Sequence, residues 1–115
     1  MPLNDTILNI GATAMQGAMT HGSIHTALPD ANGSNASAAA RKPITWITAA
    51  NGDMVATVDL PFTGGTANGP ALYLGFWSAV SAGTWYGYVP LTGDTTFNAA
   101  GEYTVTDISI PGTAT

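Results

Sequence analysis

Apolar residues recur with a helical period in only one part of the chain. Leu8, Ala12, Met15 and Met19 follow one another at spacings of four, three and four, which places them on one face of a helix. Asn4 or Asp5 can cap its start, because a short acceptor side chain satisfies free amides of the first turn. Ala12, Ala14 and Ala18 favour the helix, whereas Gly11 and Gly17 weaken it. The pattern predicts a short helix over 4–20. Its contact face is Leu8, Ala12, Met15 and Met19, turned toward a sheet or a neighbouring subunit.

After Gly22 the period changes to two, the spacing of a half-buried strand. Ile24, Thr26 and Leu28 alternate with Ser23, His25 and Ala27 until Pro29-Asp30. The small-residue segment 29–40 has no apolar period and reads as a surface loop or arm. A second strand is expected from Pro43 to Ala49, followed by Asn51-Gly52, a pair that favours a type I′ hairpin turn. The returning strand carries Met54, Ala56, Val58 and Leu60 on one face, and 63–70 is a glycine-rich loop. Ala71 to Ala79 is apolar on both faces and reads as a central strand, with Leu72, Leu74 and Phe76 opposite Tyr73 and Trp77. Across the break at Gly83, Trp85, Val89 and Leu91 alternate with Tyr86 and Tyr88. A brief strand at Thr95–Phe97 precedes the turn at Ala100-Gly101. The last strand runs from Glu102 to Ile110, and its apolar face switches from Tyr103 and Val105 to Ile108 and Ile110, which predicts a bulge near Asp107.

One helix followed by about seven strands, with a turn signal about every ten residues, predicts a mainly β fold. The expectation is an antiparallel β-sandwich or small barrel with one short N-terminal helix, a single domain over 1–115.

Composition narrows what such a domain does. Only 8% of residues are charged, against about 25% in an average domain. Two cations, Arg41 and Lys42, stand against seven acids for a net charge of −5, so nucleic acid is not an expected partner. No apolar run approaches the roughly 18 residues of a membrane helix, so no membrane insertion is expected. Met1-Pro2-Leu3-Asn4-Asp5 carries no positive charge ahead of its apolar stretch and does not read as a secretory signal. The absence of cysteine removes disulfides, thiol catalysis and thiolate zinc sites. A surface this poor in charge suggests that part of it is covered in an assembly.

The search for chemistry finds no constellation. His21 and His25 are four apart, but an extended chain separates them by about 13 Å, too far to share a metal ion. Most acids stand in turns or caps, and nothing selects a glycosidase pair, although Asp59 and Asp107 lie within predicted strands. No serine has a Gly-x-Ser-x-Gly context, and the Thr63–Pro70 segment lacks the Lys-Ser/Thr of a phosphate loop. No enzyme activity, cofactor or metal is therefore expected. The remaining candidates are Tyr73, Trp77, Trp85, Tyr86 and Tyr88 on two successive strands. They form a core, a subunit interface or a flat platform for stacking on sugar rings.

Several segments together resemble a known family. Leu3-Asn4-Asp5 opens the helix, and Met19-Thr20-His21-Gly22-Ser23-Ile24-His25-Thr26-Ala27-Leu28-Pro29-Asp30 follows it. Next come Ala40-Arg41-Lys42-Pro43-Ile44-Thr45-Trp46 and Leu74-Gly75-Phe76-Trp77-Ser78-Ala79. Gly83-Thr84-Trp85-Tyr86-Gly87 and Phe97-Asn98-Ala99-Ala100-Gly101-Glu102-Tyr103-Thr104-Val105 complete the set. In this order they resemble small structural proteins of tailed bacteriophages that infect actinobacteria, of minor-tail or tail-fibre type. The resemblance implies a non-enzymatic virion component, assembled in the host cytoplasm, homo-oligomeric, and in contact with other tail or capsid proteins. A capsid decoration role is the close alternative, and a carbohydrate-binding module that attaches to a host-surface glycan is a third.

Overall fold

A computed structural model describes residues 4–50, 53–56, 59–106 and 108–110. The helix α1 covers Asp5–Ala18, and the Asn4 side chain accepts the Ile7 N–H at 3.1 Å as its cap. Eight strands follow among the described residues: β1 His21–His25, β2 Lys42–Pro43, β3 Met54–Val55, β4 Leu60–Phe62, β5 Tyr73–Trp77, β6 Trp85–Pro90, β7 Tyr103–Val105 and β8 Ser109–Ile110. All their pairings are antiparallel. The fold is mainly β with one helix, as the alternation of apolar positions predicts.

One sheet has four strands in the order β2-β1-β5-β6, and β5 occupies the central place expected of its two apolar faces. The other strands pair as β3 with β8 and β4 with β7. Ile24, Leu74 and Phe76 from the four-stranded sheet meet Leu60, Phe62, Tyr103, Val105 and Ile108 from the other pairs in one buried cluster. This core lies between the layers, as in a small sandwich. The register slips by one residue between the Ala56–Ile108 contact and the Leu60–Val105 pair. The bulge expected near Asp107 and the Asn51-Gly52 turn themselves lie outside the described residues, as does Val58. The residues flanking that turn, Ala50 and Asp53, form an antiparallel bridge.

Several strands are shorter than alternation suggests. The first ends at His25 rather than continuing to Leu28, because Thr26 and Ala27 bend away and the segment 35–37 bonds back to β1. The Pro43–Ala49 strand shrinks to β2 plus a bridge from Trp46 to Ala56, and Thr95–Phe97 to a bridge between Pro70 and Thr96. In each case a partner strand is present for only one or two residues, so an extended sequence has no ladder to complete.

The helix packs on its own domain. Ala12 is buried against Ala49 and Met54, with Met19, Trp46 and Ile110 beside them. Leu8 is half-buried, but Met15 is 47% exposed and does not belong to the contact face that its spacing predicts. Around the helix Met15 stands about 60° from Ala12, whereas Met19 stands within about 20° of it and packs beside it. Trp46 ties the helix to the core, since its indole N–H donates to the Met19 carbonyl at 2.9 Å. Enlarging the contact by Ala12→Leu should cost about 1–3 kcal/mol through overpacking, whereas Met15→Ala should stay within about 0.5 kcal/mol. Urea unfolding of the two variants measures the contrast.

Candidate functional site

Four of the five aromatics singled out by sequence, Tyr73, Trp77, Trp85 and Tyr88, gather on the outer face of the four-stranded sheet, with Tyr86 exposed between them in β6. Trp77 and Trp85 are cross-strand partners with ring centroids 5.1 Å apart at 62°, and Tyr73 meets Tyr88 edge to face at 5.3 Å and 84°. Alternation alone would put Trp85 with Val89 and apart from Tyr88. A register shift between Phe76 and Trp77 makes Tyr86 the extra residue of β6. Trp85 thereby joins Tyr88 on the outer face, while Val89 packs against the core. Tyr86 and Tyr88 stay exposed, and Trp77 and Trp85 are half-buried.

What covers the two tryptophans is the segment between β1 and β2. Gly33, with φ +76°, lies so close to both rings that a Cβ there would sit 2.7 Å from Trp85 and 2.8 Å from Trp77. Beneath Trp85, a Cβ on Gly75 would collide with the same ring and stand 2.7 Å from His25 Nε2. The Trp85 indole thus lies between two glycines, one on the sheet and one on the loop. The Arg41 guanidinium stacks 3.5 Å from the centre of the Trp77 ring. It also donates to the Ala79 and Ala82 carbonyls at 3.0 and 2.7 Å, holding the β5–β6 turn. A planar cation with several donors serves both tasks at once.

Under this cover runs a directed chain of hydrogen bonds. The Trp77 indole, a donor only, donates to Ser23 Oγ at 2.9 Å. His25 Nδ1 stands 2.7 Å from the Ser34 carbonyl, which can only accept, so the proton is on Nδ1. In the neutral ring His25 Nε2 is then bare and accepts the Ser23 hydroxyl at 2.6 Å. His25 is 0% exposed and Ser23 is 3% exposed. Sequence reasoning placed His25 on a half-exposed strand face; the loop, which has no local signal in its small residues, buries it instead. Burial holds the His25 pKa below its usual value, the bond to Ser34 opposes that, and the Arg41 charge adds to the lowering. The imidazole is neutral.

A serine that donates to a histidine oriented by a carbonyl has the order of an activated nucleophile. Here Ser23 Oγ also accepts the Trp77 indole N–H and is 3% exposed, and the His25 bond to the Ser34 carbonyl ties the loop to the sheet, so the network acts as a clasp on the loop. The other histidine, His21, stands at the far end of β1 and bonds Thr20 Oγ1 at 2.9 Å. Among the described residues, no three His, Cys, Asp or Glu side chains gather as a metal would require. None of the described helices is long and apolar enough to cross a membrane.

The sheet's other flank holds a cleft of about 880 Å³ with Leu74, Val89 and Phe62 in its lining and Asp94 and Glu102 among its polar residues. The sequence singled out neither acid as one of a pair. Asp94 Oδ1 accepts the Thr96 N–H and O–H, and Glu102 accepts from Asn98, so both serve their own turns. The rings that stacking on sugar would need are also not coplanar, since both measured contacts among them are edge to face. Comparisons with protein-family models, curated proteins and solved structures find no match to this chain.

Gly75→Ala should destabilise the domain by about 1–3 kcal/mol, because the new methyl meets both Trp85 and His25. Equilibrium unfolding checks this. The clasp also sets a pH dependence. The unfolded His25 takes a proton near pH 6.5, and the folded one resists it until lower pH. The unfolded state then binds more protons, so stability is full above about pH 6.5 and declines as the pH falls below it. His25→Gln should flatten the decline between about pH 7 and 5, read from unfolding midpoints across that range.

Proposed function

We propose that the protein is a non-enzymatic structural component on the exterior of a tailed-bacteriophage particle, of minor-tail or tail-fibre type. The observation that carries the reading is the use made of its reactive side chains. Ser23, His25, Trp77, Trp85 and Arg41 are engaged in fastening the chain's own loop to its own sheet. A domain that devotes its chemically capable groups to internal closure is suited to endurance rather than turnover. The segment-by-segment resemblance to phage tail proteins and the charge-poor surface support the same reading. In this role the protein is virion-located, homo-oligomeric and in contact with other tail proteins.

Capsid decoration is the alternative within the same class. An arm that bridges capsomers is its usual device, and 29–40 was the segment free of any apolar period. That segment folds back, with Ala36 bridged to His25 and Ser37 N–H bonded to the Ile24 carbonyl at 2.8 Å. This favours the tail role over decoration. Quantitative mass spectrometry of purified virions should find a few to a few tens of copies per particle. A ratio to the major capsid protein near one or one-third would assign the protein to the capsid, and its absence would remove it from the virion.

A further inference from the structure

β6 is the longest strand of the protein, and among the described residues it pairs only with β5. The direction of its backbone groups follows from the ladder. The Leu91 N–H bonds the Leu72 carbonyl at 2.9 Å, one step beyond the Tyr73–Pro90 pair. Bonded and non-bonded pairs alternate in an antiparallel ladder. Leu74–Val89 and Phe76–Gly87 are therefore bonded pairs, and Gly75–Tyr88 and Tyr73–Pro90 are not. The N–H and C=O of Tyr88 and the C=O of Pro90 consequently point away from β5, to the free edge. Tyr86, the extra residue at the bulge, has no counterpart on β5.

Proteins guard such edges with charge, an internal proline, shortness or a covering loop. The opposite edge of this sheet is guarded: β2 has two residues, one of them Pro43, and residues 35–37 bond along the rest of β1. β6 has only Pro90, at its last residue, which leaves the stretch around Tyr88 open. No residue from Thr84 to Thr92 is charged, and Tyr86 and Tyr88 are 47% and 42% exposed.

We propose that β6 pairs antiparallel with β6 of a second copy of this chain, about a twofold axis at Tyr88. On a twofold every residue at the axis meets its own duplicate, so the axis needs a strand that tolerates itself. In a chain of net charge −5, a neutral segment lets two copies approach without opposing like charges. In this register the two Tyr88 backbones exchange a pair of hydrogen bonds. Tyr86 faces the second copy's Pro90, whose outward carbonyl can accept a donor; Pro90 has no N–H to return, so this pair contributes one bond at most. The two sheets become one of eight strands, with the exposed tyrosines side by side on its outer face. The inference rests on strand geometry and is independent of the virion reading.

Sedimentation velocity of the purified chain tests it. Association should appear as a concentration-dependent shift from monomer to dimer. Tyr88→Lys places like charges opposite each other and should weaken the dimer at least tenfold, with a circular dichroism spectrum that shows the fold retained. Tyr88→Glu should do the same, and mixing the two variants should restore the dimer. Tyr88→Pro, which removes the edge-facing N–H along with the phenol ring, should also yield monomer. A wild-type chain still monomeric at about 500 µM overturns the proposal, as does a Tyr88→Lys chain that dimerises like wild type or a charge-opposed mixture that does not recover. Loss of the dimer on Ile10→Lys instead would move the interface to the helix and overturn it equally.

Discussion

The bond from His25 to the Ser34 carbonyl is the contact on which the outer half of this domain depends. A sheet with an apolar inner face and a tryptophan-rich outer face has two surfaces to cover, and the second layer of strands covers only one. The other is closed by a loop of small residues that cannot bury much apolar area by itself. It stays down because a neutral imidazole, a hydroxyl and an indole are arranged so that each donor meets an acceptor. Among the described residues no buried side-chain nitrogen or oxygen lacks a partner, which a buried polar chain requires if it is not to cost more than it contributes.

Glycine makes that closure geometrically possible. Gly75 lets the Trp85 ring approach the sheet closely, and Gly33 lets the loop backbone approach the same ring. Arg41 then covers the neighbouring indole and at the same time satisfies carbonyls of the β5–β6 turn. One of only two cations in the chain thus joins the loop, the aromatic pair and a turn that are far apart in sequence.

Much of the inner architecture was legible in the sequence. Leu74 and Phe76 alternate with Tyr73 and Trp77 as a strand buried on both faces should, and Ala12 with Met19 marks the side of the helix that packs. What alternation could not reveal is wherever a non-local partner decides. Trp85 changed face because of a one-residue bulge whose only trace is Gly87 beside Tyr86. His25 is fully buried because of residues nine positions away that carry no hydrophobic signal. Met15 obeys the helical period but lies beyond the short reach of a contact built on alanine. Of the candidate aromatics, all five share a strand pair as expected, yet their edge-to-face packing depends on ring angles that sequence spacing does not encode.

The order of the strands has a consequence for biosynthesis. Every strand of the sheet that carries the clasp is complete once Pro90 has been made, whereas β4 and β3 must await β7 and β8 near the end of the chain. Domains fold from the N-terminal side as they are synthesised. On the ribosome, the sheet and its loop can therefore assemble while the inner apolar face is still uncovered. A chain in which β7 and β8 have not yet paired leaves that face open to chaperones and to misassembly.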